Sequence, residues 1–377
     1  MALIGHALPL STQSTISGKV VSASDQAPIP FATVYFDGTT VGTTTDEAGT
    51  YQLSLAGISL PATLVVTHLN FTTATRAVRE AGEQPGWSLA PAVNEFAAVE
   101  VGDRNHRVEN LKEFREALLG TDEWGRTAEL EQTDRLIFDR TYAVDTMRNA
   151  DVLIERYGLP DDLRAAEWSP DGKSLTFERA ADLRVRGTGP LSVDVPALGY
   201  RISAGSLRFT IDYAAGSRVS MATYYFQPYE GASGRPKKKH ARNRRRAYYA
   251  SSQHFLRALY HDRLDEEGYA VFETVNGDPV PLDLQKHLRP GEYGTKVFTG
   301  LTGKKVAIIY YHDRRGAPFP PERRRRARYV TSYLFVSGEE TAFRSDGTVG
   351  AVSPAFGGPM GLQPVTRLLP SDYTPAD

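Results

Sequence analysis

The feature that most constrains the fold of this chain is a series of short alternating strands and turns between residues 15 and 55. At residues 16–20 apolar side chains alternate with polar ones, which is the period of a half-buried strand. Turn-forming residues at 24–28 lead into a second alternating run at 32–36, and two more turns lead into strands at 41–45 and 51–55. The pattern predicts an antiparallel β structure at the N-terminus.

Asp46 and Gly49 belong to the turn between the third and fourth of these strands. An Asp side chain can accept a backbone N–H within a turn, and Gly can adopt a positive φ, so their spacing has a structural reason. We predict a structural role for both residues. Further alternating runs at 64–69 and 71–78 bring the number of strands to six, and residues 99–101 are a candidate seventh strand.

Four sequence elements occur here in a characteristic order: an ISGKV strand, a PFATV strand, a GTTTD turn and a GTYQL return strand. In this order they resemble the carboxypeptidase-like regulatory domain. That domain is a small transthyretin-like Greek-key β-sandwich found in metallocarboxypeptidases and at the N-termini of many envelope proteins of Gram-negative bacteria. The resemblance implies a sandwich at residues 15–103 that serves as a binding or scaffolding module, but it implies no activity, because function belongs to a site and not to a fold.

Length, charge and cysteine content limit the other possibilities. A chain of 377 residues with 41% hydrophobic content can bury more than one core. Residues 1–103 hold 3 Lys or Arg against 9 Asp or Glu, so the predicted sandwich is acidic and the remainder mildly basic. The absence of cysteine excludes disulfides, thiolate metal ligands, a cysteine nucleophile and a lipid-bearing cysteine.

The first residues, MALIGHALPL, are mostly apolar but lack the basic start and the full length of a secretory signal. We interpret residues 1–14 as either the remnant of a signal peptide or a disordered tail, and a start upstream stays open. Elsewhere the sequence has no run of about 18 apolar residues of the kind that a membrane helix needs. Together with the envelope proteins that the sandwich resembles, this leads us to expect an exported protein in the periplasm or at the outer membrane.

The region after the sandwich predicts a connector helix at 104–120, with an apolar stripe that includes Phe114, a candidate cap at Asp103 or Asn105, and Gly120 just past the end. Residues 121–232 are predicted to form a β-rich domain with strands at 174–177, 190–195, 200–203, 207–213 and 220–226.

Residues 233–377 are predicted to form one long amphipathic helix with a basic beginning, followed by strands at 304–311 and 329–337. The predicted fold class is therefore mainly β with some α. It consists of an N-terminal transthyretin-like Greek-key sandwich followed by a β-rich α+β region with one long amphipathic helix.

His106 and Glu109 have the HxxE spacing that a zinc carboxypeptidase uses for two ligands, and His240 is the candidate third ligand. Three arguments oppose a zinc site: the sandwich precedes the motif, no βαβ alternation follows it, and HxxE fixes only two positions. His254 and His261 stand about 10 Å apart along the predicted helix, too far to ligate one metal, and we interpret both as surface or interface residues.

No G-x-S-x-G, Walker A, dinucleotide-binding or HExxH motif occurs in the sequence. We therefore expect no cofactor, no bound metal and no catalytic residues. A peptidase or peptidase-accessory role remains as an alternative that only the HxxE motif supports.

Two basic clusters are candidate anion-binding sites. They consist of Lys237, Lys238, Lys239, Arg242, Arg244, Arg245 and Arg246, and of Arg323, Arg324, Arg325 and Arg326. For an exported protein the available anions are lipid head groups, lipopolysaccharide phosphates and acidic glycans. A solvated charged linker is the other interpretation of these residues.

The sequence predicts a non-catalytic exported envelope protein that binds or scaffolds through its sandwich, with an envelope protein or a glycan as partner and the basic clusters facing an anionic surface. Nucleic-acid binding by the basic clusters is a further alternative, and nucleic acid is not the expected partner.

Overall fold

We describe a computed structural model of the protein at residues 14–92, 104–159, 163–231, 234–319, 321–350 and 353–375. The apolar start, the candidate strand at 99–101, Asp103 and the side chain of Asn105 lie outside the described residues. The fold class is confirmed, because the chain is mostly β with several sheets and few helices. The single long helix is not confirmed.

The N-terminal sandwich consists of two four-stranded sheets. Its strands are β1 (Thr15–Ser22), β2 (Thr33–Phe36), β3 (Gly42–Thr44), β4 (Thr50–Ser54), β5 (Ala62–His68), β6 (Phe71–Val78), β7 (Gly82–Glu83) and β8 (Trp87–Leu89). One sheet has the order β4-β1-β7, with β8 also paired to β1, and the other has the order β3-β2-β5-β6. Ile16, Val34, Phe36 and Leu64 are fully buried where the two sheets meet, as the alternation in the sequence predicts.

A seven-stranded antiparallel sheet forms the middle of the chain. Its strands are β9 (Glu129–Leu130), β10 (Leu136–Arg148), β11 (Arg164–Trp168), β12 (Ser174–Gly187), β13 (Leu191–Val195), β14 (Tyr200–Asp212) and β15 (Ser217–Pro228), and its helices are α1 (Arg104–Leu119), α2 (Glu123–Thr127) and α3 (Ala150–Tyr157). The five strands expected in this region fall within or overlap β12 to β15. Helix α1 covers the sheet, and its Phe114 packs edge-on against Phe138 and Phe209.

The last part of the chain contains two helices and two smaller sheets, with α5 packed against these sheets and α4 against the middle sheet. The helices are α4 (Lys238–Tyr248) and α5 (Ser252–Tyr260), and the strands are β16 (Tyr269–Val275), β17 (Asp278–Pro281), β18 (Leu288–Pro290), β19 (Lys296–Phe298), β20 (Lys305–His312), β21 (Arg328–Phe335), β22 (Ala342–Phe343) and β23 (Ala355–Gly357). Short 3₁₀ segments lie at Thr133–Arg135, Leu284–His287, Glu292–Gly294, Pro321–Arg326, Gly358–Met360 and Val365–Arg367. Phe255 and Leu259 of α5 are fully buried against the five-stranded sheet β17-β16-β20-β21-β23.

The predicted long helix is wrong, because the chain breaks between α4 and α5. Tyr249 is extended and Ala250 adopts a φ of 64°. Ser251 then caps α5, since its hydroxyl accepts a hydrogen bond from the His254 N–H at 3.1 Å. Apolar periodicity continues across the break, because both helices bury a face, and that continuity is what misled the sequence interpretation.

The sandwich is fixed to the middle sheet at one end of β2. The rings of Tyr35 and Tyr225 stack with centroids 5.1 Å apart, and the Gly38 N–H donates to the Tyr224 carbonyl at 2.7 Å. A Cβ on Gly42 would lie 2.5 Å from the Tyr225 ring, so glycine permits the close approach. Burial raises the pKa of Tyr35, whose hydroxyl hydrogen-bonds to Thr223, so its phenol stays neutral in this interface.

The C-terminal tail closes the same interface from the other side. The Ser371 N–H donates to the Gly38 carbonyl at 2.7 Å, and the Asp372 carboxylate accepts from the Thr40 N–H at 3.0 Å and from the Thr40 hydroxyl. The sandwich therefore contacts both the sheet edge and the tail. No helix in the described ranges combines the length and the apolar character that a membrane crossing requires.

Candidate functional site

The first basic cluster divides into an exposed and a buried part. Helix α4 begins at Lys238 without an acidic residue in its first turn, so the positive charges oppose the helix dipole. The exposed members are Lys237, Lys238, Lys239, Arg242, Arg245 and Arg246. They form the part of the cluster that an external anion can reach.

Arg244 points the other way, into the protein. Its Nε donates to the Leu198 carbonyl at 2.8 Å, and its Nη2 donates to the Gly199 carbonyl at 3.1 Å and lies 3.3 Å from the Glu230 carboxylate. The guanidinium also lies 4.0 Å from the centre of the Tyr200 ring. Arg244 therefore anchors α4 to the middle sheet.

His240 completes this anchor, because its Nδ1 lies 2.7 Å from the second oxygen of Glu230. Burial raises the pKa of Glu230, but the hydrogen bond from His240 and the charge of Arg244 outweigh it and hold the pKa below its ordinary value. Glu230 is therefore an ionised carboxylate held between two basic groups.

The second basic cluster is also partly engaged within the protein. Arg324 donates to Asp265 at 3.1 Å and to the Tyr269 carbonyl at 2.8 Å, and its guanidinium lies 4.8 Å from the centre of the Tyr311 ring. Arg325 is exposed. The side chains of Arg323 and Arg326 lie outside the described residues, so the anion-binding role of this cluster stays a prediction.

The three candidate zinc ligands occupy separate environments. His106 Nδ1 lies 3.7 Å from Glu109 and accepts a hydrogen bond from Arg164 at 2.9 Å, whereas His240 pairs with Glu230. Among the described residues, no group of three or more His, Cys, Asp or Glu side chains is arranged to hold a metal ion. The peptidase alternative therefore has no ligand set in this part of the chain.

A cleft of about 790 Å³ lies between the helices α4 and α5 and the C-terminal tail. Arg257 closes one side of it by donating to three carbonyls, those of Asp346 at 2.7 Å, Ser371 at 2.7 Å and Tyr373 at 2.8 Å. The charged side chains that line the cleft are Arg245, Arg257, Arg263, Glu267, Asp346 and Asp372. Three of these side chains are positive and three are negative, and this balance does not favour a charged ligand.

Behind this cleft lies a chain of hydrogen bonds that the sequence did not indicate. His254 Nε2 lies 3.0 Å from the Glu267 carboxylate, and the Tyr269 hydroxyl lies 2.8 Å from His254 Nδ1. Burial raises the pKa of Tyr269, so its phenol donates to Nδ1, and the imidazole holds its proton on Nε2 and donates it to Glu267. Burial also lowers the pKa of His254 despite the opposing effect of Glu267. His254 was interpreted as a surface or interface residue; its side chain is only 1% exposed and lies in the interior between α5 and β16.

The hydrogen bonds among Glu267, His254 and Tyr269 have a structural role. Tyr269 is completely buried, so its hydroxyl cannot reach a ligand in the cleft, and only Glu267 lines the cleft itself. The three side chains fix each other's protonation and connect α5 to β16.

A second cavity, of about 530 Å³, opens on the sandwich at the end of β2 that faces away from the middle sheet. It is lined by Phe31, Thr44, Thr45, Asp46, Thr50, Tyr51 and Gln52. Asp46 accepts from the Thr50 N–H at 2.8 Å and from its hydroxyl at 2.5 Å, and these bonds lower the pKa of Asp46. Gly49 in the same turn adopts a φ of 72°, and a Cβ there would lie 2.5 Å from the Val20 carbonyl oxygen.

Phe31 is the unusual member of this cavity. Its φ is 58°, and its side chain is 71% exposed. A positive φ is uncommon for a residue with a bulky side chain, and glycine adopts it more readily. The backbone is held there because the Phe31 N–H donates to the Thr45 carbonyl and the Ala32 N–H donates to the Thr45 hydroxyl.

Comparison with known proteins identifies the class of the sandwich. Residues 16–101 match the family model of the CarboxypepD_reg-like domain, so this part of the chain is a CarboxypepD_reg-like domain, as its strand order and turns predict. No curated protein matches the chain.

Three solved structures share limited similarity with the chain. A type II cohesin–X–dockerin complex from Acetivibrio cellulolyticus is 24% identical, covers 26% of this chain and 72% of that chain, and has a TM-score of 0.19. A putative membrane-associated protein of unknown function from Bacteroides fragilis NCTC 9343 is 8% identical. The match covers 57% of this chain and 95% of that chain, with a TM-score of 0.17. A 9R-lipoxygenase from Cyanothece PCC8801 is 9% identical. The match covers 69% of this chain and 50% of that chain, with a TM-score of 0.19. TM-scores this low carry no argument about fold or function.

Proposed function

We propose that the protein is a non-catalytic, exported binding protein of the bacterial cell envelope whose N-terminal sandwich takes a protein or glycan ligand. The observation that carries the proposal is the way the sandwich is held. Contacts at residues 35–42 fix one end of β2 to the middle sheet and the tail, and the cavity around Phe31 opens at the opposite end. A rigid sandwich with one free end is suited to presenting a ligand site.

Fractionation of cells tests the location that this function requires. We expect a C-terminally tagged copy, expressed with its native start region, to be recovered with periplasmic or outer-membrane markers. It should be digested by protease only after the outer membrane has been permeabilised, or without permeabilisation if it lies on the cell surface. Recovery with a cytosolic marker would overturn the proposal.

A second surface supports contact with an anionic envelope component. Lys237, Lys238 and Lys239 are consecutive and exposed at the N-terminal end of α4, where the Glu230 carboxylate accepts a hydrogen bond from the Lys237 N–H at 3.3 Å. A bound anion would offset the repulsion among the three lysine ammonium groups. The acidic sandwich and this basic surface would then have different partners.

Replacing the three lysines by glutamine is expected to weaken binding to phosphatidylglycerol-containing vesicles about 100-fold, because each lysine near an anionic surface contributes about 1 kcal/mol. Vesicle sedimentation at several salt concentrations measures the effect. A control variant removes the same charge at three scattered exposed positions, Lys112, Lys173 and Lys286. Equal weakening in both variants would show a general charge effect and would remove this surface from the proposal.

A further inference from the structure

We propose that the Phe31 cavity is a binding site for a neutral oligosaccharide, with the Phe31 ring as the platform on which a sugar ring stacks. This inference rests on the proposed binding function of the sandwich and names its ligand class and its site.

The Phe31 side chain lies outside the core of the sandwich. It is 71% exposed, and the φ of Phe31, 58°, is one that glycine adopts more readily. An exposed apolar ring held in an unfavourable backbone conformation is a feature of binding sites. The strain and the exposure together point to a ligand that covers the ring.

The side chains around the Phe31 ring are mostly polar. Thr44 and Gln52 are exposed and present a hydroxyl and an amide group along the cavity, so both donors and acceptors are available to sugar hydroxyls. The Thr50 hydroxyl donates to Asp46 and can still accept. An aromatic ring beside such polar groups matches a sugar, which has an apolar face of C–H groups and a polar rim. The volume of about 530 Å³ is within the range of small-ligand pockets.

The charges of the lining residues favour a neutral ligand. The residues that line the cavity include no Lys, Arg or His, and the one carboxylate, Asp46, is already bonded to Thr50. A carboxylated or sulfated glycan would face the negative charge of Asp46, and the cation beside the cavity, Lys19 opposite Thr50, already acts on Asp46 and lowers its pKa. An acidic polymer would instead be attracted to the exposed lysines of α4.

The cavity lies between two sheet edges, so an added peptide strand is the competing occupant. Strand β3 pairs only with β2, and β4 pairs only with β1, which leaves their outer edges open in the described structure. However, β3 is only three residues long and offers a short ladder. An exposed aromatic ring with surrounding hydroxyls favours a sugar over a main-chain partner.

Affinity electrophoresis of the full chain tests the proposal. Native gels contain one soluble polymer each: the neutral polymers are hydroxyethyl cellulose, mixed-linkage β-glucan, arabinoxylan, galactomannan and dextran, and the acidic ones are alginate and polygalacturonate. We expect at least one neutral polymer to retard the protein. Phe31→Gly should weaken that binding about tenfold or more, whereas Phe31→Trp, which keeps the platform, should preserve it.

Two controls keep the test independent of folding. Phe31→Gly should unfold at the same or a higher temperature than the parent protein, because glycine tolerates this φ. Leu69→Gly changes another exposed apolar residue of the sandwich, outside the cavity, and should leave retardation unchanged.

The outcomes separate this inference from the proposed function. No retardation by any neutral polymer, or equal retardation of Phe31→Gly, overturns the oligosaccharide site even if the protein fractionates with the envelope. Capture of an extended peptide from a displayed library, lost in Phe31→Gly and without neutral-polymer binding, assigns the cavity to a peptide and also overturns it. Recovery of the protein in the cytosol overturns the proposed function whatever the gels show.

Discussion

Replacing Arg244 by alanine is expected to lower the free energy of unfolding by about 3–5 kcal/mol. The guanidinium is only 7% exposed and donates to the carbonyls of Leu198 and Gly199 while it pairs with Glu230. Its removal leaves a buried carboxylate without its main positive charge and two carbonyls without donors. Urea denaturation followed by circular dichroism measures the change as a shift of the midpoint at constant slope.

Arg242 provides the matched control, because it lies on the same helix and is exposed. Arg242→Ala should change the free energy of unfolding by no more than about 0.5 kcal/mol. A double variant that also replaces Glu230 by glutamine should be less destabilised than the sum of the two single changes, since it removes the unpaired charge. If Arg244→Ala and Arg242→Ala destabilise the protein equally, the structural role of Arg244 is wrong.

The difference between these two arginines marks a limit of composition-based interpretation. A cluster of basic residues looks uniform in the sequence, and all of its members were assigned to anion binding. The helical spacing nevertheless held a signal, because the buried residues of α4 recur three or four positions apart; they are His240, Asn243, Arg244, Ala247 and Tyr248. Treating that stripe as an inward face would have removed Arg244 from the candidate anion site.

The strand pattern predicted the sandwich well because alternation and turn chemistry are local properties. Val34 and Phe36 fall on the buried face as the period of two requires. Tyr35 lies on the opposite face and is also fully buried, because Tyr225 of β15 packs against it. Burial imposed by a strand almost two hundred residues away has no local signature in the sequence.

The sequence also could not single out Phe31 or His254. Phe31 directly precedes an ordinary alternating run, and only the backbone angle and the exposure of its side chain distinguish it. His254 was interpreted as a surface or interface residue of one continuous helix, but the break at Ala250 turns α5 so that the imidazole faces Glu267 and Tyr269. A backbone φ and a helix break depend on tertiary contacts that no periodicity reports.

The stability of the protein is expected to fall as the pH drops below about 6.5, and His254 is expected to cause a large part of that fall. Burial lowers the pKa of His254 below the ordinary value of 6.5. A lowered pKa means that the unfolded state binds the proton more readily than the folded state does. The contribution of His254 to stability is therefore complete above pH 6.5 and is lost as the pH falls through the folded-state pKa. The loss is about 1.4 kcal/mol for each unit by which folding lowers the pKa.

Glu267 acts in a separate pH range. The hydrogen bond from His254 lowers the pKa of Glu267 below the ordinary value of 4.5, so its contribution is present above pH 4.5 and is lost only below it. Between pH 6.5 and 4.5 the slope therefore reports histidines together with Asp37, whose pKa is raised by burial and whose contribution opposes that of the histidines. Burial lowers the pKa of His68 too, so removing His254 should reduce the slope without abolishing it.

Urea denaturation of His254→Gln at a series of pH values between 7.5 and 4.5 measures this contribution. At pH 7 the variant should be about 2–3 kcal/mol less stable, because the Tyr269 hydroxyl and the Glu267 carboxylate lose their buried partner. It should also lose less stability than the parent protein as the pH falls. His261→Gln is the control, since His261 lies on the exposed side of the same segment and its variant should keep the parent slope. If the free energy of unfolding of His254→Gln changes with pH as steeply as that of the parent protein, the assignment of this pH dependence to His254 is wrong. That result would show that the buried imidazole takes up its proton equally in the folded and unfolded states.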